Sequence, residues 1–471
     1  MTALGLVSFV FSSAVAAQTR PSLSLRDAPE SFINQQRSIE VRMREQFDRE
    51  RGAAQRALFD WGGWYNLHFF LFDDGVESSR TLRRHDLRLW GRLSWDESAH
   101  EFYARSRLSL LDFNSGDSYD GNDDDVEGPN LERGYYRFDL ARALHTYNDR
   151  VIDYNVVVTV GRDLVQVGSG LALAAPLDHV KLTATSRAWE LSLFGGRTVG
   201  SLEDLDLTRP TDRTRRNLYG GQLSYLGMDR HQPYFFAVQQ EDRNRDPLFP
   251  LFQRFEYDSR YLGIGSSGEL IERLRYSTEW VYETGDGFGH QQFIHQNDVE
   301  AWAALAELEY LFRGPHKARG SVEYLFASGD GGRFASPTDA FGGNTGDYED
   351  TGFVALGYHD TGLSFAPRYS NLHLWRTGAS FYPWPQRQRL QRLEVGTDWY
   401  LFWKHHRDGA VSDPTANVRS GYLGWEMDYY LNWRVAADLS WTARLGVFFP
   451  GQSFSDTSVR TFFLIGLTYS F

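Results

Sequence analysis

Apolar and polar residues alternate over long stretches of this chain, from about residue 58 to its last residue. In the final stretch, 459–471, the odd-numbered residues from Phe463 to Phe471 form an apolar face, and the residues between them are on average smaller and more polar. A period of two over a dozen residues predicts a β-strand. About 9–11 residues suffice for a tilted strand to cross a membrane. Such a strand must belong to a closed barrel, because all its backbone groups need partners in hydrocarbon.

The same alternation recurs in runs separated by turns and predicts about 18 strands. The predicted strands are 58–72, 82–95, 101–113, 132–144, 151–163, 177–186, 187–199, 216–228, 232–242, 257–268, 272–285, 297–313, 316–328, 370–382, 391–404, 419–433, 436–449 and 459–471. The run 352–360 is the candidate for an additional or split strand. Most runs exceed the five or six residues usual in soluble sheets. The pattern therefore predicts an all-β fold, a transmembrane antiparallel barrel around an aqueous lumen.

The connections between predicted strands alternate in length, as expected when the two ends of the barrel face different compartments. Short ones such as 96–100 and 313–316 are predicted to be periplasmic, and long ones such as 112–131 and 328–351 to face outward. The Asp-rich run 117–125 has the composition of a calcium loop without its spacing. We interpret it first as a solvated loop and second as a contact for divalent cations or lipopolysaccharide.

The first 57 residues do not alternate in this way. An apolar stretch that ends in small residues near Ala17 predicts a signal peptide over 1–17, although no Lys or Arg precedes it. Residues 18–57 are predicted to be a partly helical periplasmic segment, because apolar residues recur at helical spacing between 28 and 58. Three roles are open for this helix: a solvated periplasmic helix, a plug in the lumen, or an element that docks partners or joins subunits.

Composition favours a membrane barrel over a soluble enzyme. Aromatic residues make up 15% of the 471 residues, as aromatic girdles require. The chain has no cysteine, which excludes disulfides and thiolate metal sites. Its net charge of −13 disfavours nucleic-acid binding. Because no nucleophile elbow, phosphate-binding loop or helical His-x-x-x-His pair occurs, we expect no catalytic residues, no metal and no cofactor.

Charged residues at inward positions form the candidate site. The basic ones cluster on the second to fourth predicted strands, with one more near the end of the chain: Arg88, Arg92, Arg105, Arg107, Arg133, Arg137 and Arg444. The acidic ones lie on later strands: Glu279, Glu283, Glu323, Glu394, Asp398, Glu426 and Asp428. In a closed ring much of the acidic sector lies across the lumen from the arginines of the second to fourth strands, which predicts a transverse field that guides an anion along them. The alternative is that arginines pair with neighbours such as Asp86 or Asp139 and hold the wall together.

Several short motifs follow one another between residues 160 and 451. They are Val160-Gly161-Arg162-Asp163 with Gly168-Ser169-Gly170-Leu171, Ala327-Ser328-Gly329-Asp330, Tyr369-Ser370-Asn371-Leu372, Gly424-Trp425-Glu426-Met427-Asp428 and Phe448-Phe449-Pro450-Gly451. Together they resemble motifs of the alginate export family of bacterial outer-membrane proteins. Over residues 58–471 this resemblance implies a monomeric barrel of about 18 strands, within the size range of porins. It also implies export of an anionic exopolysaccharide through a charged lumen.

The chain departs from the family pattern at Asp163, where Gln is usual, in its N-terminal helix and in its many acidic inward residues. The polymer could therefore differ from alginate. Two other functions stay open: a general or small-solute porin, and a non-transporting barrel that modifies lipid or supports an envelope machine. The expected partners are the polysaccharide, outer-membrane lipid and lipopolysaccharide, with periplasmic export or scaffold proteins as further candidates.

Overall fold

A computed structural model describes residues 57–73, 79–118, 124–200, 202, 204–205, 214–244, 257–287, 297–333, 336–338, 344 and 349–471. The predicted signal peptide, nearly all of the predicted N-terminal helix and the centre of the Asp-rich run lie outside these residues. Within the described ranges, no helix has the length and apolar character needed to span a membrane.

The described chain consists almost entirely of β-strands, with one helix. In chain order the elements are β1 (Leu58–Phe72), β2 (Arg80–Trp95), β3 (His100–Phe113), β4 (Asp125–Asp139), α1 (Leu140–Asn148), β5 (Tyr154–Gln166), β6 (Ala174–Ser186), β7 (Trp189–Thr198), β8 (Arg216–Tyr225), β9 (His231–Asp242), β10 (Asp258–Ile271), β11 (Leu274–Asp286), β12 (Asp298–Leu311), β13 (Arg319–Ala327), β14 (Glu349–Asp350), β15 (Leu372–Phe381), β16 (Leu393–Trp403), β17 (Tyr422–Arg434), β18 (Leu439–Pro450) and β19 (Arg460–Ser470). All except β14 belong to one closed antiparallel barrel of 18 strands, which confirms the predicted fold.

The ring closes between the first and last strands. β1 pairs antiparallel with β19 from Trp64 opposite Ser470 to Phe72 opposite Phe462. Beyond this ladder, the Phe471 N–H donates to the Gly63 carbonyl at 2.9 Å, and the Gly63 N–H donates to the Phe471 carbonyl at 2.9 Å. Closure leaves no sheet edge unpaired, so each strand can cross hydrocarbon.

Alternation separates a lipid face from a lumen face on each wall strand. Outward side chains are large and apolar, as at Trp61 (65% exposed) and Ile264 (59% exposed). Aromatic pairs mark the ends of the wall. Trp95 stacks on His100 at 5.1 Å beside the short turn 96–99, and Trp425 stacks on Phe449 at 4.4 Å near the long connections. The short turns thus lie at the periplasmic end and the long connections at the extracellular end.

The prediction for the fourth strand, 132–144, is wrong at both ends. β4 stops at Asp139, whose Oδ1 accepts the Arg142 N–H at 3.1 Å and so caps α1. Residues 140–144 are therefore helical. At its other end β4 already begins at Asp125, where two register shifts against β3 and Pro129 interrupt the alternation.

The additional strand considered over 352–360 is not part of the wall. Residues 351–371, here called the inner segment, follow β14 and run inside the barrel before β15 begins. Phe353 and Phe365 are fully buried there, in a core whose wall members, such as Val165, Val299 and Phe402, lie at extracellular strand ends. An apolar loop must bury its side chains, and here the extracellular half of the lumen receives them.

Candidate functional site

The arginines predicted on the second to fourth strands lie together on one sector of the lumen wall. The register sets Arg88 opposite Arg107 and Arg105 opposite Arg133. Directly opposed residues of antiparallel strands face the same side of a sheet. The set therefore forms a patch across β2, β3 and β4.

Two of these arginines are buried around a single carboxylate. Glu132 is the extra residue where the register of β4 shifts against β3. Its carboxylate lies 3.1 Å from Arg88 Nε, 3.0 Å from Arg105 Nε and 3.7 Å from Arg107 Nη1. The Arg88 and Arg105 side chains are only 1% and 5% exposed. These two arginines thus hold the wall together, since buried charges require paired partners.

Asp86 also belongs to this buried cluster. Its carboxylate lies 2.9 Å from Arg84 and 3.4 Å from Arg88. Asp86 is thus an ion-pair partner of the arginines, as in the alternative given in the sequence analysis. Asp139, the other ion-pair partner named there, instead caps α1 and pairs with Arg142 at 3.7 Å.

Three arginines nearer the periplasmic turns remain partly open to the lumen. The side chains of Arg92, Arg133 and Arg137 are 24%, 26% and 36% exposed. Their carboxylate partners are Asp60 at 3.6 Å, Asp163 at 2.7 Å and Glu101 at 3.4 Å, respectively. A guanidinium group carries five N–H donors, so one carboxylate partner leaves donors for a ligand.

Arg444 extends the basic lumen surface on β18. It stands opposite Tyr430 in β17 and Leu464 in β19. Among the described residues, no carboxylate lies within the 4.0 Å ion-pair distance of Arg444. It therefore contributes a positive charge that no neighbouring side chain of this part of the chain neutralises.

The acidic residues of the later strands are largely occupied by protein groups. Glu426 on β17 accepts backbone N–H groups from Leu363 at 2.7 Å, Ser364 at 2.6 Å and Phe365 at 2.8 Å. Asp428 stands two residues further on the same inward face of β17. Glu426 therefore anchors the inner segment to the wall.

Two more predicted acidic residues hold the inner segment at other points of the ring. Glu283 on β11 accepts the Val354 N–H at 2.9 Å. Glu323 on β13 lies 2.7 Å from His359 Nε2, and its other oxygen accepts a hydrogen bond from Arg376 at 2.5 Å. Because these anchors lie on β11, β13 and β17, the inner segment follows the wall over several strands.

The inner segment also reaches across to the β5–β6 side. The Tyr358 N–H donates to the Gly170 carbonyl at 3.0 Å, and the Tyr369 hydroxyl donates to the Leu171 carbonyl at 2.9 Å. Leu363 packs near Phe70 and its neighbours, where β1, β2, β3 and β19 meet. Contacts on opposite sides mean that the inner segment crosses the lumen.

The remaining predicted acidic residues have separate roles. Glu279 accepts the Ser169 N–H at 2.5 Å and the Tyr234 hydroxyl at 2.6 Å, and so fixes the turn between β5 and β6. Glu394 pairs with Arg319 at 2.8 Å. Asp398 stands opposite Asp428 in the β16–β17 register. The arginine side of the lumen is thus partly open, whereas most of the acidic side lies against the inner segment and its anchors.

Sequence reasoning missed Glu132 and the entire inner segment. A signal for the segment was available, because Phe353 is an apolar residue in the candidate additional strand and Phe365 is an apolar residue in a stretch assigned to no strand. The start of the segment is fixed by Arg333, whose Nη2 lies 2.5 Å from Asp350. Burial opposes the Arg333 charge, but the Asp350 carboxylate holds the pKa of Arg333 above its usual value.

Comparison with known proteins places this geometry in context. The family model for alginate export matches residues 75–462. The fold is similar to crystal structures of two Pseudomonas aeruginosa proteins, each 10% identical to this chain. The outer membrane protein opdK has a TM-score of 0.56, covering 88% of this chain and 98% of that one. OccK5 (OpdH) has a TM-score of 0.53, and the match covers 89% of this chain and 99% of that one. No curated protein sequence matches.

Proposed function

This chain belongs to the alginate export family, and on that premise we propose that its barrel exports an anionic, alginate-like exopolysaccharide across the outer membrane. Family and fold are those of outer-membrane transport channels, not of enzymes. The observation that carries the proposal is the group of partly open guanidiniums of Arg92, Arg133 and Arg137 in the periplasmic half of the lumen. A polymer exported from the periplasm meets this half first.

The chemistry of these side chains suits a polyuronate. Guanidinium groups bind carboxylates through two parallel hydrogen bonds and stay charged at any physiological pH. Each of the three already shares its charge with one carboxylate, so each contact with the polymer is weak. Exposed ion pairs contribute up to about 1 kcal/mol. Many weak, exchangeable contacts allow a chain to bind and still move on.

The test is ion current through the purified protein in a planar bilayer, with and without an oligouronate. Replacing Arg92, Arg133 and Arg137 together by Gln should weaken block by the oligouronate roughly tenfold or more, at up to about 1 kcal/mol per contact. It should also shift the reversal potential toward cation selectivity. The matched control replaces Arg162, Arg187 and Arg313 together by Gln. This change removes the same charge outside the lumen. Equal block in both variants would contradict the proposal.

One observation favours a second function, that of a small-solute channel. The inner segment divides the extracellular half of the lumen, and a compact solute passes a divided lumen more easily than a polymer does. OpdK, a protein of similar fold (TM-score 0.54, 10% identity, covering 88% of this chain and 98% of that one), has been crystallised with vanillate. Vanillate is therefore a suitable probe. Vanillate flux without any block by oligouronate would support the small-solute channel over export.

A further inference from the structure

We infer that Trp90, Tyr103 and Tyr135 form a ring row in the lumen on which the sugar rings of the exported polymer pack. This inference rests on the proposed export function and adds to it a site for the sugar ring itself. Arginines recognise only the carboxylate of a uronate. A site that also contacts the carbon face of the sugar would hold a polysaccharide in preference to other anions.

The three rings stand on adjacent strands and are nearly parallel. The Tyr103 and Tyr135 ring centroids lie 5.4 Å apart with 23° between the planes. Those of Trp90 and Tyr103 lie 6.2 Å apart with 18° between the planes. The register sets Tyr103 opposite Arg92, and Trp90 opposite Arg105, so these rings share the inward face of the arginines. All three rings are half-buried, which leaves part of each ring open to the lumen.

A glycine stands opposite the ring at each end of the row. Gly62 in β1 stands opposite Trp90, and Gly161 in β5 stands opposite Tyr135. At these two opposed positions the neighbouring strands carry no side chain. At Gly161 the backbone has φ +135°, and a Cβ there would collide with the Gly134 carbonyl. The backbone therefore requires glycine where the row ends.

Positive charge accompanies the rings. The Arg133 guanidinium carbon lies 5.6 Å from the Tyr103 centroid and 5.9 Å from that of Tyr135. Nearby, the Arg105 guanidinium lies 5.4 Å from the Trp64 ring. The C–H groups of a sugar carry a slight positive charge and pack on the negative face of an aromatic ring. A uronate offers both a C–H face for the rings and a carboxylate for Arg133.

Aromatic side chains of outer-membrane barrels typically face outward, in the girdles at the two interfaces. The ring row faces inward instead, beside the partly open arginines Arg92, Arg133 and Arg137. Simple wall packing does not need three parallel rings there, since short polar side chains would leave a wider aqueous path. A platform for sugar rings accounts for their placement.

The experiment measures how long single oligosaccharides block the channel. The ring variant is Tyr103→Leu with Tyr135→Leu, and the matched control is Tyr430→Leu, which removes an inward ring from β17. The probes are an oligouronate and a neutral glucose oligomer of equal length. We expect the ring variant to shorten the residence time of the oligouronate about tenfold, equivalent to about 1.4 kcal/mol. Ion selectivity should stay unchanged, and Tyr430→Leu should behave as wild type.

The outcomes separate this inference from the proposed function. If neither oligomer blocks the wild-type channel, export itself is refuted. If the oligouronate blocks wild type and the ring variant for equal times, the ring row is refuted and export stands. Altered ion selectivity in the ring variant would show that the rings only position arginines, which also overturns the inference. Should the double variant fail to insert, Tyr103→Leu compared with Tyr103→Phe gives the same decision, because Phe keeps the ring.

Discussion

Replacing Glu426 by Gln should release the inner segment from β17. The carboxylate accepts three consecutive backbone N–H groups, at Leu363, Ser364 and Phe365, over 2.6–2.8 Å. Gln keeps one acceptor oxygen at this position. Its amide nitrogen is a donor and would face the Phe365 N–H, which is also a donor. The variant therefore loses one charge-assisted hydrogen bond and weakens the other two.

The size of the effect follows from the strength of such bonds. A hydrogen bond to a charged group contributes about 1.5–3 kcal/mol. Losing one and weakening two should cost about 3 kcal/mol of the free energy that holds the segment in place. Since 1.4 kcal/mol corresponds to a factor of ten, the population with a detached segment should rise roughly 100-fold.

A single engineered cysteine can measure this population, because the chain has no cysteine of its own. Ser364 is 5% exposed, and Ser364→Cys changes its size little. A water-soluble thiol reagent then labels the residue only when the segment detaches. Combining Ser364→Cys with Glu426→Gln should raise the labelling rate about 100-fold, and the channel current should show added openings.

Glu394→Gln is the matched control. It removes an equally buried lumen carboxylate from the neighbouring strand β16, but that carboxylate binds Arg319 and not the inner segment. Labelling of Ser364→Cys should stay slow in this background. If Glu426→Gln labels no faster than the control, Glu426 does not hold the segment, and the reasoning from its hydrogen bonds fails.

Three further changes test other parts of the barrel. Deleting Phe471 removes two backbone hydrogen bonds to Gly63 at the closing seam and should impair assembly; normal heat-modifiable migration on gels would contradict this. Glu132→Gln leaves three arginines without their shared carboxylate and should lower the free energy of unfolding by about 3–5 kcal/mol, measured as unfolding at lower temperature. The control Glu127→Gln, at the exposed side of Arg107, should lower it far less. Asp163→Gln restores the residue usual in the family and frees Arg133, so oligouronate block should strengthen; weaker block would argue against the arginine path.

The wall was predictable because its environment is uniform. Every wall strand has lipid on one side, so most of its outward residues are apolar whatever lies within. The first strand was predicted as 58–72 and is Leu58–Phe72; the ninth was predicted as 232–242 and is His231–Asp242. The prediction failed at β4, where a helix cap at Asp139 and register shifts replace plain alternation.

The lumen was predictable only in part, since alternation tells which side chains face inward and not which of them meet. Arg88 and Arg105 were predicted to line the pore, but both are buried around Glu132. That contact depends on one extra residue in β4, which shifts the register by one position. A shift of this kind reverses the face of a side chain, so it cannot be deduced from a period of two.

The motifs that carry the family resemblance serve the inner segment more than the polymer path. The Ser328 carbonyl accepts N–H groups from both Phe353 and Asn371, the Leu171 carbonyl accepts the Tyr369 hydroxyl, and Glu426 accepts the three N–H groups described above. The open arginines and the ring row lie mostly outside these motifs, between residues 90 and 137. The motifs thus specify how the lumen is crossed, whereas under the proposed export function the exposed side chains of β2, β3 and β4 would select what passes. If the export proposal holds, family membership and choice of polymer are therefore encoded in different parts of the chain.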